Sequence, residues 1–158
     1  MGTDYPIVVL SWSEFDSLAQ GILDKVRGRL FNCVVVVLRG GSVLGLTVAN
    51  SLALPTFYIQ VRRSVSDSVN SRFSDPTFLG EIGLSGIKDK DVLVCEDIID
   101  TERTIGEVIG QLEKYHPKSI RIATLFNFSK NDDYISGFKA DNHFWVVFPW
   151  EKRIYEQH

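Results

Sequence analysis

Two rhythms of apolar and polar positions run along this chain. Cys33 through Leu38 and Val92 through Cys95 are unbroken apolar runs rich in β-branched residues. Such runs read as strands buried on both faces, as in a parallel sheet. Thr56 to Val61 and Ile120 to Phe126 read as further strands, and Ile7 to Leu10 as a short strand or lead-in; an apolar, aromatic run from Phe144 to Trp150 comes near the end. Between them the apolar residues recur at helical spacing. Phe15, Leu18, Ile22 and Val26 follow Ser11-Trp12-Ser13-Glu14, where Ser11 or Ser13 is the N-cap. Val43, Leu46, Val48, Ala49 and Leu52 give a short, strongly apolar helix, and Ile105, Val108, Ile109 and Leu112 a third. Strands thus alternate with helices at least three times. That order predicts an α/β fold: one domain over 1–158, a mostly parallel sheet and helices on both faces. In such sheets ligands bind outside the carboxyl ends of the strands.

Two stretches break the rhythm. Arg62-Arg63 leads into Ser64, Ser66, Asp67, Ser68, Asn70, Ser71, Ser74 and Asp75, a polar loop extending to residue 80. Loops of that length in compact domains are lids, binding loops or disordered segments. A second polar stretch covers residues 127 to 142. Lys88-Asp89-Lys90 reads as the turn before the central strand, and His116-Pro117-Lys118 as the stop of the third helix.

Composition narrows the class. The chain has 158 residues, 44% apolar and 23% charged, which is the profile of one globular domain. A net charge of -3 argues against a general nucleic-acid binder. No stretch approaches the 18 apolar residues of a membrane span, and the N-terminus lacks a signal pattern. Cys33 and Cys95 sit inside apolar runs, as buried free thiols do. A cytoplasmic enzyme or binding protein is expected.

The chemistry gathers after the central strand, in Glu96-Asp97-Ile98-Ile99-Asp100-Thr101-Glu102-Arg103-Thr104. Adjacent carboxylates where the strand should end suit the hydroxyls of a sugar, or a metal. Asp100 lies where it could accept or steer a proton. Thr101 and Thr104 stand at the entry to a helix, where unpaired N–H groups and the helix dipole favour a phosphate; they could equally cap the helix. A phosphorylated sugar would satisfy both halves. Arg39-Gly40-Gly41 offers a guanidinium and a backbone without Cβ atoms, either a plain strand-to-helix turn or a seat for an anion such as pyrophosphate. The G-x-x-x-x-G-K-[ST] and G-x-G-x-x-G loops are both missing. The histidines, His116, His143 and His158, form no metal-ligand spacing with the cysteines and no convincing Ser-His-Asp order.

The segment Glu96 to Thr104 resembles the PRPP-binding signature of type I phosphoribosyltransferases. That signature is a hydrophobic strand, two acidic residues, two apolar ones, then D-T-G-x-T. Leu38-Arg39-Gly40-Gly41 is similar to the family's pyrophosphate loop. The Ser-Trp-Ser-Glu entry, the polar loop after Arg62-Arg63 and the ending Trp145-Val146-Val147-Phe148-Pro149-Trp150-Glu151 look like the short xanthine-guanine and hypoxanthine-guanine enzymes. The resemblance implies a purine phosphoribosyltransferase of purine salvage, with a small C-terminal hood, moving the 5-phosphoribosyl group from PRPP to a base and releasing pyrophosphate. It implies that Glu96 and Asp97 hold the ribose hydroxyls and that Thr101, Glu102, Arg103 and Thr104 cradle the 5′-phosphate. Asp100 would be the catalytic residue facing N7, and Arg39 and Gly40 would meet pyrophosphate, with a cis peptide at Leu38–Arg39. Trp145 would stack on the base and Val146 touch its edge with its main chain. Mg²⁺ is the implied cofactor, near Glu96, Asp97 and Glu151, and Arg62, Arg63 or Lys152 would add charge. A homodimer or tetramer is implied, with no nucleic-acid or membrane partner.

Two positions depart from the pattern. Glu102 replaces the Gly of D-T-G-x-T; a non-Gly residue at positive φ costs about 1–2 kcal/mol, and a carboxylate beside a phosphate repels unless it points to solvent or pairs with Arg103. Phe128 falls where 6-oxopurine enzymes carry a base-binding Lys, with Lys130 two residues on. Adenine is then as plausible a substrate as a 6-oxopurine. These departures also motivate the alternative, a non-catalytic regulatory protein of the same fold that binds PRPP or a nucleotide.

Overall fold

The structure, a computed structural model, describes residues 5–62 and 75–151. Arg63, the polar positions 64–74 and Lys152 lie outside the described residues. The elements follow the order β1 (Ile7–Val9), α1 (Trp12–Val26), β2 (Cys33–Leu38), α2 (Ser42–Leu52), β3 (Thr56–Arg62), β4 (Thr77–Ile82), a 3-10 turn (Leu84–Ile87), β5 (Asp91–Ile99), α3 (Arg103–Glu113), β6 (Ser119–Asn127), β7 (Ile135–Lys139) and β8 (Trp145–Val147). A six-stranded sheet has the order β4-β3-β2-β5-β6-β7. All its pairings are parallel except that of β4 with β3. β1 and β8 pair in parallel as a separate two-stranded sheet, the small hood.

The apolar runs are strands because both of their faces are covered. Val34 and Val36 of β2 and Leu93 and Cys95 of β5 point into a core shared with Phe15, Ile22 and Val26 of α1 and Leu44 and Val48 of α2. Cys33, Val35 and Val37, with Val92 and Val94, point into a second core built with Leu84, Ile87, Ile105, Val108 and Leu112. Helices therefore cover both faces. Each of these buried valines is worth ~1.5–3 kcal/mol relative to exposure. Helix α1 starts on a full capping box: Ser11 Oγ accepts from the Glu14 amide at 3.2 Å, and Glu14 Oε2 accepts from the Ser11 amide at 2.8 Å.

Three expectations need correction. Glu96 and Asp97 do not follow the end of the central strand; β5 runs on to Ile99, because β6 continues to pair with it through Ile99↔Asn127 after β2 pairing has stopped at Val36↔Cys95. Residues 77–80 of the first polar stretch belong to β4, which caps the sheet edge antiparallel to β3. The second polar stretch contains β7, whose Ile135 and Ser136 are buried against β6. Both are edge strands whose apolar residues do not alternate with a buried face, Phe78, Leu79 and Ile82 of β4 being exposed, so their signal is backbone pairing rather than hydrophobic pattern.

Because β2 connects to β3 through α2 on one face, and β5 to β6 through α3 on the other, the two crossovers leave the sheet in opposite directions. The carboxyl ends of β2 and β5 are therefore a topological switch point. Gly41 lies between them: a Cβ there would overlap the Cys95 carbonyl oxygen and stand 2.7 Å from the Val37 carbonyl oxygen. Both obstacles are backbone and cannot swing aside. Gly110, on α3, has open space around it. Gly41→Ala is expected to lower stability by about 1–3 kcal/mol, and Gly110→Ala to raise it by about 0.5–1 kcal/mol; urea unfolding midpoints of the two variants check the contrast.

Candidate functional site

The switch point brings the loop after β2 against the end of β5. The peptide Leu38–Arg39 is cis. Gly41 accepts the N-cap position of α2, and the Ser42 hydroxyl closes the turn by donating to the Arg39 carbonyl at 2.6 Å. Gly40 faces Asp97 so closely that any Cβ would collide with the Asp97 carboxylate. Glycine is required here by approach rather than by φ. Arg39, Gly40 and Asp97 are thus neighbours in space although 57 residues separate Gly40 and Asp97 in the chain.

The acidic pair is ordered by its own backbone. Glu96 is buried, and its Oε1 accepts from the Asp97 amide at 3.0 Å. Asp97 Oδ1 accepts from the Ile98 amide at 2.7 Å. Thr124 of β6, fully buried, reaches the Asp97 carbonyl with its hydroxyl at 3.0 Å. Glu151, beyond β8, accepts from the Phe148 amide at 3.2 Å. Burial, followed by the Asp97 charge opposing that hydrogen bond, pushes the Glu151 carboxyl above the ordinary carboxylate range. Among the described residues no group of three possible metal ligands converges.

The loop from Asp100 to Thr104 enters α3. Its N-cap is Glu102, not a threonine; Thr101 precedes it and Thr104 lies in the first turn. Glu102 has φ 61°, in the left-handed region, as the glycine position requires. Its carboxylate pairs neither with solvent alone nor with Arg103. It accepts from the Tyr134 hydroxyl, across the β6–β7 connection. Arg103 Nη1 instead meets Asp75 Oδ1 at 3.2 Å, an exposed pair of small energetic weight. Tyr134 therefore draws the negative charge toward itself at the rim of the loop.

Beside this loop stands a wall of rings. The Phe128 amide donates to the Ile99 carbonyl at 2.8 Å, which ties the end of β6 next to Asp100. Phe128 packs on Phe144 at 4.9 Å and on Phe126 at 6.4 Å. Phe126 meets Phe148, and Phe148 stacks on Trp150 at 4.6 Å, which in turn meets Phe15 of α1. This chain of rings fastens the hood to the body. On β8 the Val146 side chain is buried, while Trp145 is 53% exposed.

One residue in this wall has no counterpart in the sequence reading. His143 Nε2 lies 2.8 Å from Asp100 Oδ1, and its ring stacks on Phe128 at 5.3 Å with planes 12° apart. Motif spacing had set all the histidines aside. The available signal was its position two residues before Trp145, within the segment leading to the hood strand.

Fold and site geometry define a class: an α/β protein whose glycine-bearing and acidic loops meet at a switch point under a small hood. The family model described as phosphoribosyl transferase domain matches residues 11–156, and the chain belongs to the type I phosphoribosyltransferase family. Among curated relatives, the hypoxanthine-guanine phosphoribosyltransferase of Schistosoma mansoni is 36% identical over 106 residues, covering 63% of this chain and 36% of that protein. Phosphoribosyltransferase domain-containing protein 1 of Xenopus tropicalis is 39% identical over 83 residues, covering 49% of this chain and 37% of that protein. The matches thus span little more than a third of either relative's length. The crystal structure of a purine phosphoribosyltransferase from Pyrococcus horikoshii is similar over nearly the whole fold, with a TM-score of 0.77, 28% identity and coverage of 92% of this chain and 93% of that one.

The Glu102–Tyr134 contact has a titration signature. Burial first, then the hydrogen bond to Glu102, pushes the Tyr134 hydroxyl up to about 12. A pKa raised on folding adds stability below the unfolded value, and that stability is lost as pH rises through the folded value. One tyrosine is expected to ionise late, near pH 12, with stability falling between the ordinary tyrosine value of about 10 and that point. Ultraviolet titration at tyrosinate wavelengths should lose the late component in Tyr134→Phe and shift it partway down in Glu102→Gln.

Proposed function

We propose that this protein transfers the 5-phosphoribosyl group of PRPP to a purine base and releases pyrophosphate, a reaction that returns free bases to the nucleotide pool. The observation that carries the reading is the packing of Gly40 against the Asp97 carboxylate at the switch point. It supports the reading because the loop proposed for pyrophosphate and the pair proposed for ribose then adjoin, as a molecule bearing both groups requires. The names of the Schistosoma mansoni and Pyrococcus horikoshii relatives support the purine class.

In this reading Glu96 and Asp97 receive the ribose hydroxyls. The amides and hydroxyls from Thr101 to Thr104 receive the 5′-phosphate at the start of α3, where the helix dipole favours an anion. Arg39 and the Gly40 main chain receive pyrophosphate. Trp145 and the Val146 main chain receive the base, with Phe128 at its edge, and Asp100 faces N7. Displacement at C1 passes through an oxocarbenium-like state, so the protein forms no covalent bond and works by positioning and by charge.

Mg²⁺ fits this donor set. Asp97 and Glu151 lie close enough for the charge of one to raise the pKa of the other, a repulsion that a divalent cation relieves. With only these carboxylates, such an ion would take its remaining oxygens from pyrophosphate and water, as Mg²⁺ commonly does. When bound it supplies neutralisation of the leaving group.

The test is pyrophosphate release from PRPP and Mg²⁺, with hypoxanthine, guanine, xanthine and adenine supplied separately. Release with at least one purine is expected, abolished by chelation of the metal and reduced about a hundredfold or more in Asp100→Asn. Binding of PRPP or nucleotide without release under any of the four bases would favour the non-catalytic regulatory reading. The specific reason for keeping that reading is Glu102, a carboxylate at the strained position of the phosphate loop.

A further inference from the structure

Phe128 leaves the base edge without the charged donor that the family resemblance assigns there. A different side chain stands at the place. His143 comes from the segment running into β8, yet its Nε2 lies 2.8 Å from Asp100 Oδ1 at the end of β5, and its ring lies flat on Phe128 at the end of β6. Tyr5 flanks the imidazole at 5.9 Å. Three parts of the fold therefore converge on one ring. The His143 side chain is 39% exposed and that of Asp100 13% exposed, so the imidazole lies on the open side of the pair.

We propose that His143 reads the six-position edge of the purine. The proposal rests on the transferase reading of the site given above. Asp100 is there the residue facing N7, and the substituent at C6 lies beside N7 on the same edge of the purine. A group hydrogen-bonded to Asp100 is within reach of that substituent. Phe128 then has a positive role: it replaces a donor with a flat support that holds the imidazole brought by another segment, and Phe144 backs it at 4.9 Å.

The chemistry of the substitution sets the substrate class. A lysine ammonium only donates, so it favours a 6-oxo group over a 6-amino group. A neutral imidazole carries one donor and one acceptor. Which nitrogen faces the base is set by the bond the other makes to Asp100. With Nε2 donating to the Asp100 carboxylate, the neutral ring offers its acceptor nitrogen, Nδ1, to the base, so an edge read by histidine favours a 6-aminopurine and one read by lysine a 6-oxopurine.

The test compares the full-length wild type with His143→Leu and His143→Lys, measuring kcat and KM for hypoxanthine, adenine and PRPP. His143→Leu is expected to raise KM for adenine about tenfold to a hundredfold, while KM for PRPP stays within about twofold. His143→Lys is expected to recover hypoxanthine and not adenine, moving the ratio of kcat/KM toward the 6-oxopurine by about tenfold or more. Calorimetry with IMP and AMP repeats the comparison without turnover. A wild type that binds nucleotide but releases no pyrophosphate would sink the transferase reading and still report on His143. KM for adenine unchanged or lowered in His143→Leu would overturn the proposal, since the imidazole would then only occupy the place of the base. So would equal losses of kcat with every base and no change in preference in His143→Lys, which would mark a structural role. A wild type that binds neither nucleotide would end both readings.

Discussion

The parallel pairing of β2 with β5 is the constraint on which the rest depends. Its four registered pairs, from Cys33↔Val92 to Val36↔Cys95, hold two strands whose side chains are buried on both faces. The loops carrying Arg39, Gly40 and residues 100–104 leave from the carboxyl ends of this pair. Pairing stops at Cys95, and the two chains then diverge, β2 toward α2 and β5 onward beside β6. Where they diverge, Gly40 packs against the Asp97 carboxylate. A slip of one residue in register would send Val34 and Val36 to the opposite core and would pull Gly40 from Asp97.

Around that contact the structure balances opposed local terms. Glu102 holds a left-handed backbone at a cost of about 1–2 kcal/mol. A hydrogen bond between a neutral donor and a carboxylate is of similar size, about 1.5–3 kcal/mol before screening by solvent. The Tyr134 contact therefore offsets much of the strain and directs the carboxylate away from its own loop. Glu96 and Asp97 are handled in the same manner. Each accepts a main-chain amide, which holds two adjacent carboxylates in place beside a buried threonine. Rigid, partly desolvated acceptors are what recognition of sugar hydroxyls needs.

The hood depends on rings rather than on its own two strands. β1 and β8 pair over only three residues each, and Ile7 and Val9 remain exposed. A two-stranded sheet of that size has marginal stability by itself. The ring contacts from Phe128 through Phe144, Phe126 and Phe148 to Trp150 anchor it on α1 and β6. The same wall carries His143 to Asp100. Attachment of the hood and placement of His143 against Asp100 are one piece of packing.

Local pattern alone determined a good deal. Continuous apolar runs identified β2 and β5 at the centre of the sheet, since burial on both faces admits little else there, apolar-rich segments identified β3 and β6, and helical spacing identified the three helices. The segment from Glu96 to Thr104 announced its chemistry because its members are adjacent in the chain and their spacing is set by backbone geometry. The resemblance drawn from it led to the family to which the chain belongs. The edge strands β4 and β7 were not legible, because an edge strand is held by hydrogen bonds that any residue except proline can make. The end of β5 was misjudged for a related reason: only its pairing with β6 carries the strand past the carboxylates. Tertiary structure also decided the partners of Glu102 and Asp100. Tyr134 lies 32 residues from Glu102 and His143 lies 43 from Asp100. Contacts of that kind leave no periodic trace, because they follow from where the crossovers deliver distant segments and not from anything either segment encodes by itself.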